Sequence, residues 1–311
     1  MKQYYIMCTE RYINPFTDFG FKLLFGTPAN KEFLIAFLNS LFDGKEEIVD
    51  ISYNNTEIFG KTPEDRKAIY DLYCTTSSGS HIIVEMQNAY QRYFLDRTLY
   101  YSSFAMQAAA RKGDWDYKLP PIYTVSFLNF RMSEYIDIPA FKHEVKLMDI
   151  ENKNVVYDKL TYIYLEMPKF NKEVDDLHGF ADCWLYIIKN LSLLDKKPES
   201  FRDRVFERFF NVAEIASFSS KDRIAYEASL KSMRDYNNTL RDAKYLGLKE
   251  GRAEGRVEGR AEGRAEGRAE GRAEGAKSKS IEIAKKMKDL SISEKEIIEA
   301  TGLSKEELDN L

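Results

Sequence analysis

Tyr70–Gln87 reads YDLYCTTSSGSHIIVEMQ, two apolar runs on either side of Ser77-Ser78-Gly79-Ser80. Residues 68–76 and 81–88 have the length and the Ile, Val and Tyr content of strands, and the small residues between them make a hairpin. An acid interrupts each run, Asp71 in the first and Glu85 in the second. A carboxylate inside an apolar strand is costly to bury unpaired. Two of them on consecutive hairpin strands converge on one point, where they repel unless a cation lies between them. Side chains alternate along a strand, so Glu85 and Gln87 share one face, and Ile82, Val84 and Met86 take the other, the expected core face. Two carboxylates and an amide then stand where a hard, oxygen-liganded cation such as Mg²⁺ would bind. The competing reading makes Asp71 and Glu85 edge-strand charges facing water.

On the N-terminal side, residues 16–43 read as helical, with Phe21, Leu24, Phe25, Phe33, Leu34, Phe37, Leu38 and Leu41 at three- and four-residue steps. Thr27-Pro28 interrupts them, and Asn30 is placed to cap the second piece. Residues 48–59 alternate as a strand does. On the C-terminal side, residues 90–111 form an amphipathic helix closed by Gly113 and Pro120-Pro121, and its aromatic stripe from Tyr90 to Phe104 reads as core packing. IYTVSFLNF, residues 122–130, is apolar in the manner of an interior strand. The order helix, three strands, helix, strand makes an α/β core. Further strands are expected near 143–150 and 161–167, and the chain beyond Asp175 reads as all-helical.

Residues 251–274 are GRAE, GRVE and then GRAE four times. On a helix the glycines would form a slowly winding stripe, while Arg stacks over Arg and Glu over Glu at i,i+4. Each interior glycine adds a cost of about 1 kcal/mol. The segment therefore reads as a marginal helix or a flexible connector, whose Gly-x-x-x-Gly face could admit a second copy. Its six Arg exclude a membrane setting for that motif. Residues 276–311 suggest a small helical hairpin with Ser293 and Ser304 as caps. It reads as a helix-turn-helix or as an oligomerisation element; the second helix is acidic, which suits DNA poorly.

The 311 residues are 44% hydrophobic and 14% aromatic, enough for a packed body. The net charge of −4 speaks against coating nucleic acid by bulk charge, yet a local basic track and a cation at an acidic centre remain compatible with phosphate chemistry. Cys8, Cys74 and Cys183 are far apart and His81, His143 and His178 are scattered, against a disulfide framework or a His/Cys zinc site. With no signal-like leader and no run of eighteen apolar residues, a cytoplasmic location without membrane contact is expected.

Asp71, the hairpin and Glu85-x-Gln87 in place of Glu-x-Lys together resemble the PD-(D/E)XK nuclease superfamily. TDFGFKLLFG at Thr17–Gly26 and the Arg97/Tyr101 helix resemble its recombination-promoting nuclease/putative transposase branch. The resemblance implies a restriction-endonuclease-like core followed by an all-helical C-terminal half. Residues 1–170 would be the nuclease core, 171–250 a helical region, 251–275 a spacer and 276–311 the terminal hairpin. It implies metal-dependent DNA endonuclease activity, with Mg²⁺ or Mn²⁺ and a 3′-hydroxyl product, linked to recombination or transposition. Asp71 and Glu85 would hold the metal, and Gln87 stands where other members place the catalytic lysine. Glutamine orients by hydrogen bonds but carries no charge. A nuclease-fold module that binds DNA or protein without cutting is the alternative.

Asp18 either joins the metal or pairs with Lys22 one turn on. Arg97 is either an ion-pair partner or, with Lys22, support for the phosphate. His81 reads as a polar strand end, and Glu166, which lacks a paired Asp at hairpin distance, as structural. Self-association, if any, is expected through the tail.

Overall fold

A computed structural model describes residues 10–58, 68–109 and 116–311. Gly113 and Cys8 lie outside the described residues. The chain forms two compact units, Met1–Arg234 and Asp235–Leu311.

In the first unit, α1 (Asp18–Phe25) starts at Thr17, whose Oγ1 accepts from the Gly20 amide at 3.0 Å. Gly20 is needed there because a Cβ would stand 2.3 Å from the Asn14 carbonyl oxygen. Pro28–Asn30 forms a 3-10 turn, and α2 (Lys31–Phe42) follows. The interruption falls where Thr27-Pro28 places it, but Asn30 does not cap α2. Its Nδ2 donates backwards to the Leu23 carbonyl at 2.8 Å, an oxygen near the end of α1 that the broken helix leaves open.

Two of the expected strands are each split. Residues 48–59 give β1 (Ile51–Tyr53) and β2 (Glu57–Ile58), and residues 68–76 give β3 (Ala68–Ile69) and β4 (Leu72–Thr76). β2 and β3 pair with each other as a separate ribbon. β5 (His81–Gln87) pairs antiparallel with β4 around the expected turn, where Gly79 takes φ +91°. β6 (Ile122–Leu128) and β8 (Asn154–Glu166) continue parallel to β5, and β7 (Lys142–Asp149) returns antiparallel along β8. The six-stranded order is β1-β4-β5-β6-β8-β7 in a mixed α/β body.

Both faces of this sheet are covered. Ile82, Val84, Val125, Phe127, Ile163 and Leu165 pack into one core with α1, α2, α4 (Gly179–Asn190) and α5 (Arg204–Ala213). The opposite face, with Ile83, Ile122, Leu128, Tyr162 and Tyr164, is roofed by α3 (Phe94–Ala109) through Phe94, Phe104 and Ala105. The face of Glu85 and Gln87 is therefore as buried as the one opposite, which is why β5 and β6 read as apolar runs.

The helix α6 (Ser220–Asp289) begins in the first unit and runs through the repeats. Of the two readings of residues 251–274 the structure takes the helical one, and these residues are exposed. A Cβ added at any of Gly251, Gly255, Gly259, Gly263, Gly267 or Gly271 would meet nothing within 4 Å. In the second unit, α7 (Glu294–Thr301) and α8 (Lys305–Asp309) close a small core of Ala284, Ile297, Leu303 and Leu308 with the end of α6. The Ser304 hydroxyl accepts from the Glu307 amide at 3.2 Å, and the Ser304 amide donates to Glu307 at 3.0 Å. Among the described residues no helix is long and apolar enough to cross a membrane.

Candidate active site

Asp71 is not inside a strand. It occupies the bend where the chain leaves the ribbon (β3) and joins the main sheet (β4). The β4–β5 register ends at Leu72 opposite Val84, so Asp71 falls opposite Glu85. One step beyond, the Tyr70 amide donates to Thr56 at 2.9 Å instead of continuing the ladder. The vacated acceptor place is filled by Asp71 itself, whose Oδ2 accepts from the Met86 amide at 2.6 Å. Local chain departure thus turns one carboxylate into a substitute ladder acceptor beside the other.

Glu85 is only 2% exposed, and its Oε1 has no hydrogen-bond partner. Its Oε2 accepts from Gln87 Nε2 at 3.2 Å and lies 3.5 Å from the Arg97 guanidinium. Gln87 Oε1 accepts from Gln91 Nε2 at 3.1 Å, and Gln91 Oε1 accepts from Arg97 at 2.8 Å. Glu85, Gln87, Gln91 and Arg97 therefore close a ring of polar contacts between the sheet and the start of α3. Arg97 also lies 4.9 Å from the Tyr101 ring centroid, and Tyr101 accepts from the Tyr70 hydroxyl through its carbonyl. Gln91 was not legible as a site residue: a glutamine in a polar loop acquires its role only when that loop folds back over β5.

Burial is the main cause of the raised Glu85 carboxyl, followed by the Asp71 charge; Arg97, the Asp71 amide and Gln87 pull it down, and it settles at about 8. Asp71 is also raised, first by burial and then by Asp18, against the Met86 amide, Lys22 and Arg97. Asp18 and Lys22 form an exposed ion pair at 2.7 Å. With Asp71, Tyr53, Asn54 and Tyr73 they line a cavity of about 620 Å³ that opens the site to solvent. Asp71, Glu85, Gln87 and Arg97 are thus brought together. Asp18 is engaged with Lys22, and among the described residues no three His, Cys, Asp or Glu side chains are grouped as a metal cage.

The donor set nevertheless fits a hard divalent cation. Two carboxylates repel each other in a desolvated place, and one keeps a buried oxygen with no partner. A cation would satisfy that oxygen and return both groups to the ionised form.

Glu166 is structural, as read. It is fully buried, accepts from the Met132 amide at 2.6 Å and contacts His143 at 2.7 Å and Lys169. His81 Nδ1 meets the Tyr73 hydroxyl at 2.9 Å on the hairpin. The aromatic stripe divides: Phe94 and Phe104 enter the core, whereas Tyr90 and Tyr93 are 50% and 64% exposed.

Compared with known proteins, the chain matches a family described as PD-(D/E)XK nuclease family transposase over residues 15–243. No curated protein and no solved structure gives a match.

Proposed function

Because the chain belongs to the PD-(D/E)XK nuclease family of transposases, we propose that it is a metal-dependent DNA endonuclease that hydrolyses phosphodiester bonds in recombination or transposition. The observation that carries this reading is the buried, unpartnered Glu85 Oε1 beside Asp71. Asp71 and Glu85 would hold Mg²⁺ or Mn²⁺, with Asp18 joining them on leaving Lys22. The cation supplies Lewis-acid polarisation of the attacking water and of the phosphoryl oxygens. Gln87 orients through its amide, Arg97 balances the carboxylate charge from the α3 side, and Lys22 meets phosphate at the mouth of the cavity. Such a protein works in the cytoplasm. Purified protein should nick supercoiled plasmid with Mg²⁺ or Mn²⁺ and stop on chelation; an intact plasmid with either cation would sink the proposal.

One observation favours a second reading. Arg97 already gives Glu85 a resident positive partner, as a module that binds DNA or protein without cutting would need. Retarded DNA that stays uncut with either cation would favour it.

Gln87 tests the site from another side. Gln87→Lys should preserve or raise the nicking rate, because an ammonium stabilises the phosphorane electrostatically, while Gln87→Ala should lower it. Equal rates for all three proteins would remove Gln87 from the mechanism.

The tail supports self-association. About the α6 axis, Arg flanks each repeat glycine on one side and Glu on the other, about 60–100° away, with Ala or Val behind. Two parallel copies would set Arg against Glu; two antiparallel copies would set like against like. Removing everything after Lys249 should lower the oligomeric state, whereas deleting 251–274 should leave nicking intact. Identical masses by light scattering would exclude the tail as the assembly element.

A further inference from the structure

Beneath α3, two polar atoms that hydrogen-bond to nothing belong to paired residues on neighbouring strands. Ser126 on β6 is fully buried with an unpartnered Oγ, and Glu85 on β5 keeps an unpartnered Oε1. The two residues are paired directly in the parallel register. Paired residues share a face of the sheet, on strands about 4.8 Å apart, so a side-chain rotation separates the hydroxyl from the carboxylate.

The competing acceptors on this face are engaged. The Tyr164 hydroxyl is taken by Thr98 at 2.9 Å and the Tyr162 hydroxyl by Ser102 at 2.6 Å. Thr124, the previous α3-facing residue on β6, also has an unpartnered hydroxyl, but it stands opposite Ile83. A buried donor left without a partner lowers stability. A carboxylate oxygen has two lone pairs, so Oε1 can accept from Ser126 and still face a cation.

Resting on the reading of Asp71 and Glu85 as a cation site, we propose that Ser126 is a positioning residue whose hydroxyl donates to Glu85 Oε1 and fixes that carboxylate for the metal. Groups that orient a ligating carboxylate in this way change metal affinity by about 10–100-fold when removed.

The test is Mn²⁺ alone, titrated into the full chain without DNA and followed by the electron paramagnetic resonance of free Mn²⁺. Ser126→Ala should weaken binding by about 10–100-fold, while its metal-free melting midpoint stays at or above the parent's. Ser126→Thr, which keeps the hydroxyl, should restore binding, and Thr124→Val, on the same strand and face, should leave it unchanged. If Ser126→Ala does not fold, Ser126→Cys, a weak donor of similar size, carries the same expectation of weakened binding. Parental affinity in the hydroxyl-deficient variant overturns the role of Ser126 while leaving the cation site standing. An equal loss in Thr124→Val overturns it as a packing effect. A parent chain that binds no Mn²⁺ overturns the cation site and Ser126's role with it.

Discussion

Asp71→Asn and Glu85→Gln should each lower Mg²⁺-dependent nicking by at least about a hundredfold, with the fold retained. Each exchange keeps the shape of the side chain and removes a charge from the pair that would hold the cation. The two variants should fail differently in detail. Asn at 71 can still accept from the Met86 amide, so the end of the β4–β5 ladder survives. Gln at 85 loses the charge that faces Arg97, which frees the guanidinium from its partner on the sheet. Parental nicking by both variants would show that the hairpin carboxylates are not the reaction centre. Circular dichroism on the same samples separates lost chemistry from lost fold.

The second large effect concerns pH and needs no DNA. Glu85 holds its proton more firmly in the folded chain, at about 8, than an ordinary carboxyl does near 4.5. A carboxyl raised on folding contributes stability that is complete below the unfolded value and disappears as pH climbs through the folded one. Metal-free protein should therefore lose stability between about pH 5 and pH 8, by roughly 3–5 kcal/mol from this group. Asp71, also raised, acts in the same direction. Glu85→Gln has no proton to lose there. Its melting midpoint should exceed the parent's at pH 8.5, and the advantage should vanish towards pH 4.5. Parallel melting profiles for the two proteins across this range would refute the raised carboxyl. A variant more stable than its parent yet inactive would also show that the lost nicking is not lost folding.

The hairpin, its turn and the shared face of Glu85 and Gln87 were legible because period-two alternation and a Ser/Gly turn are local signals. The break at Asp71 was not. AIYDLYC is apolar enough to be one strand, and what divides it is distant in sequence: the Thr56 carbonyl takes the Tyr70 amide and pulls the chain into the ribbon. Asn30 misled for a similar reason, since the Leu23 carbonyl competes for its side chain. The second buried face was hidden because the alternation of VEMQ distinguishes the sides of a strand, not whether a helix covers both. The unpartnered Ser126 becomes visible only when three parallel strands are set in register.

The helical repeats have a consequence at the level of the gene. Every unit is four residues long, so gaining or losing one removes or adds whole codons and keeps the reading frame. Tandem coding repeats are where a copying polymerase slips most readily. Because each glycine there faces open space, such a slip neither buries a new side chain nor uncovers an old one. Selection would then see only the length of the helix, and copy number could drift between lineages while the hairpin carboxylates stayed fixed.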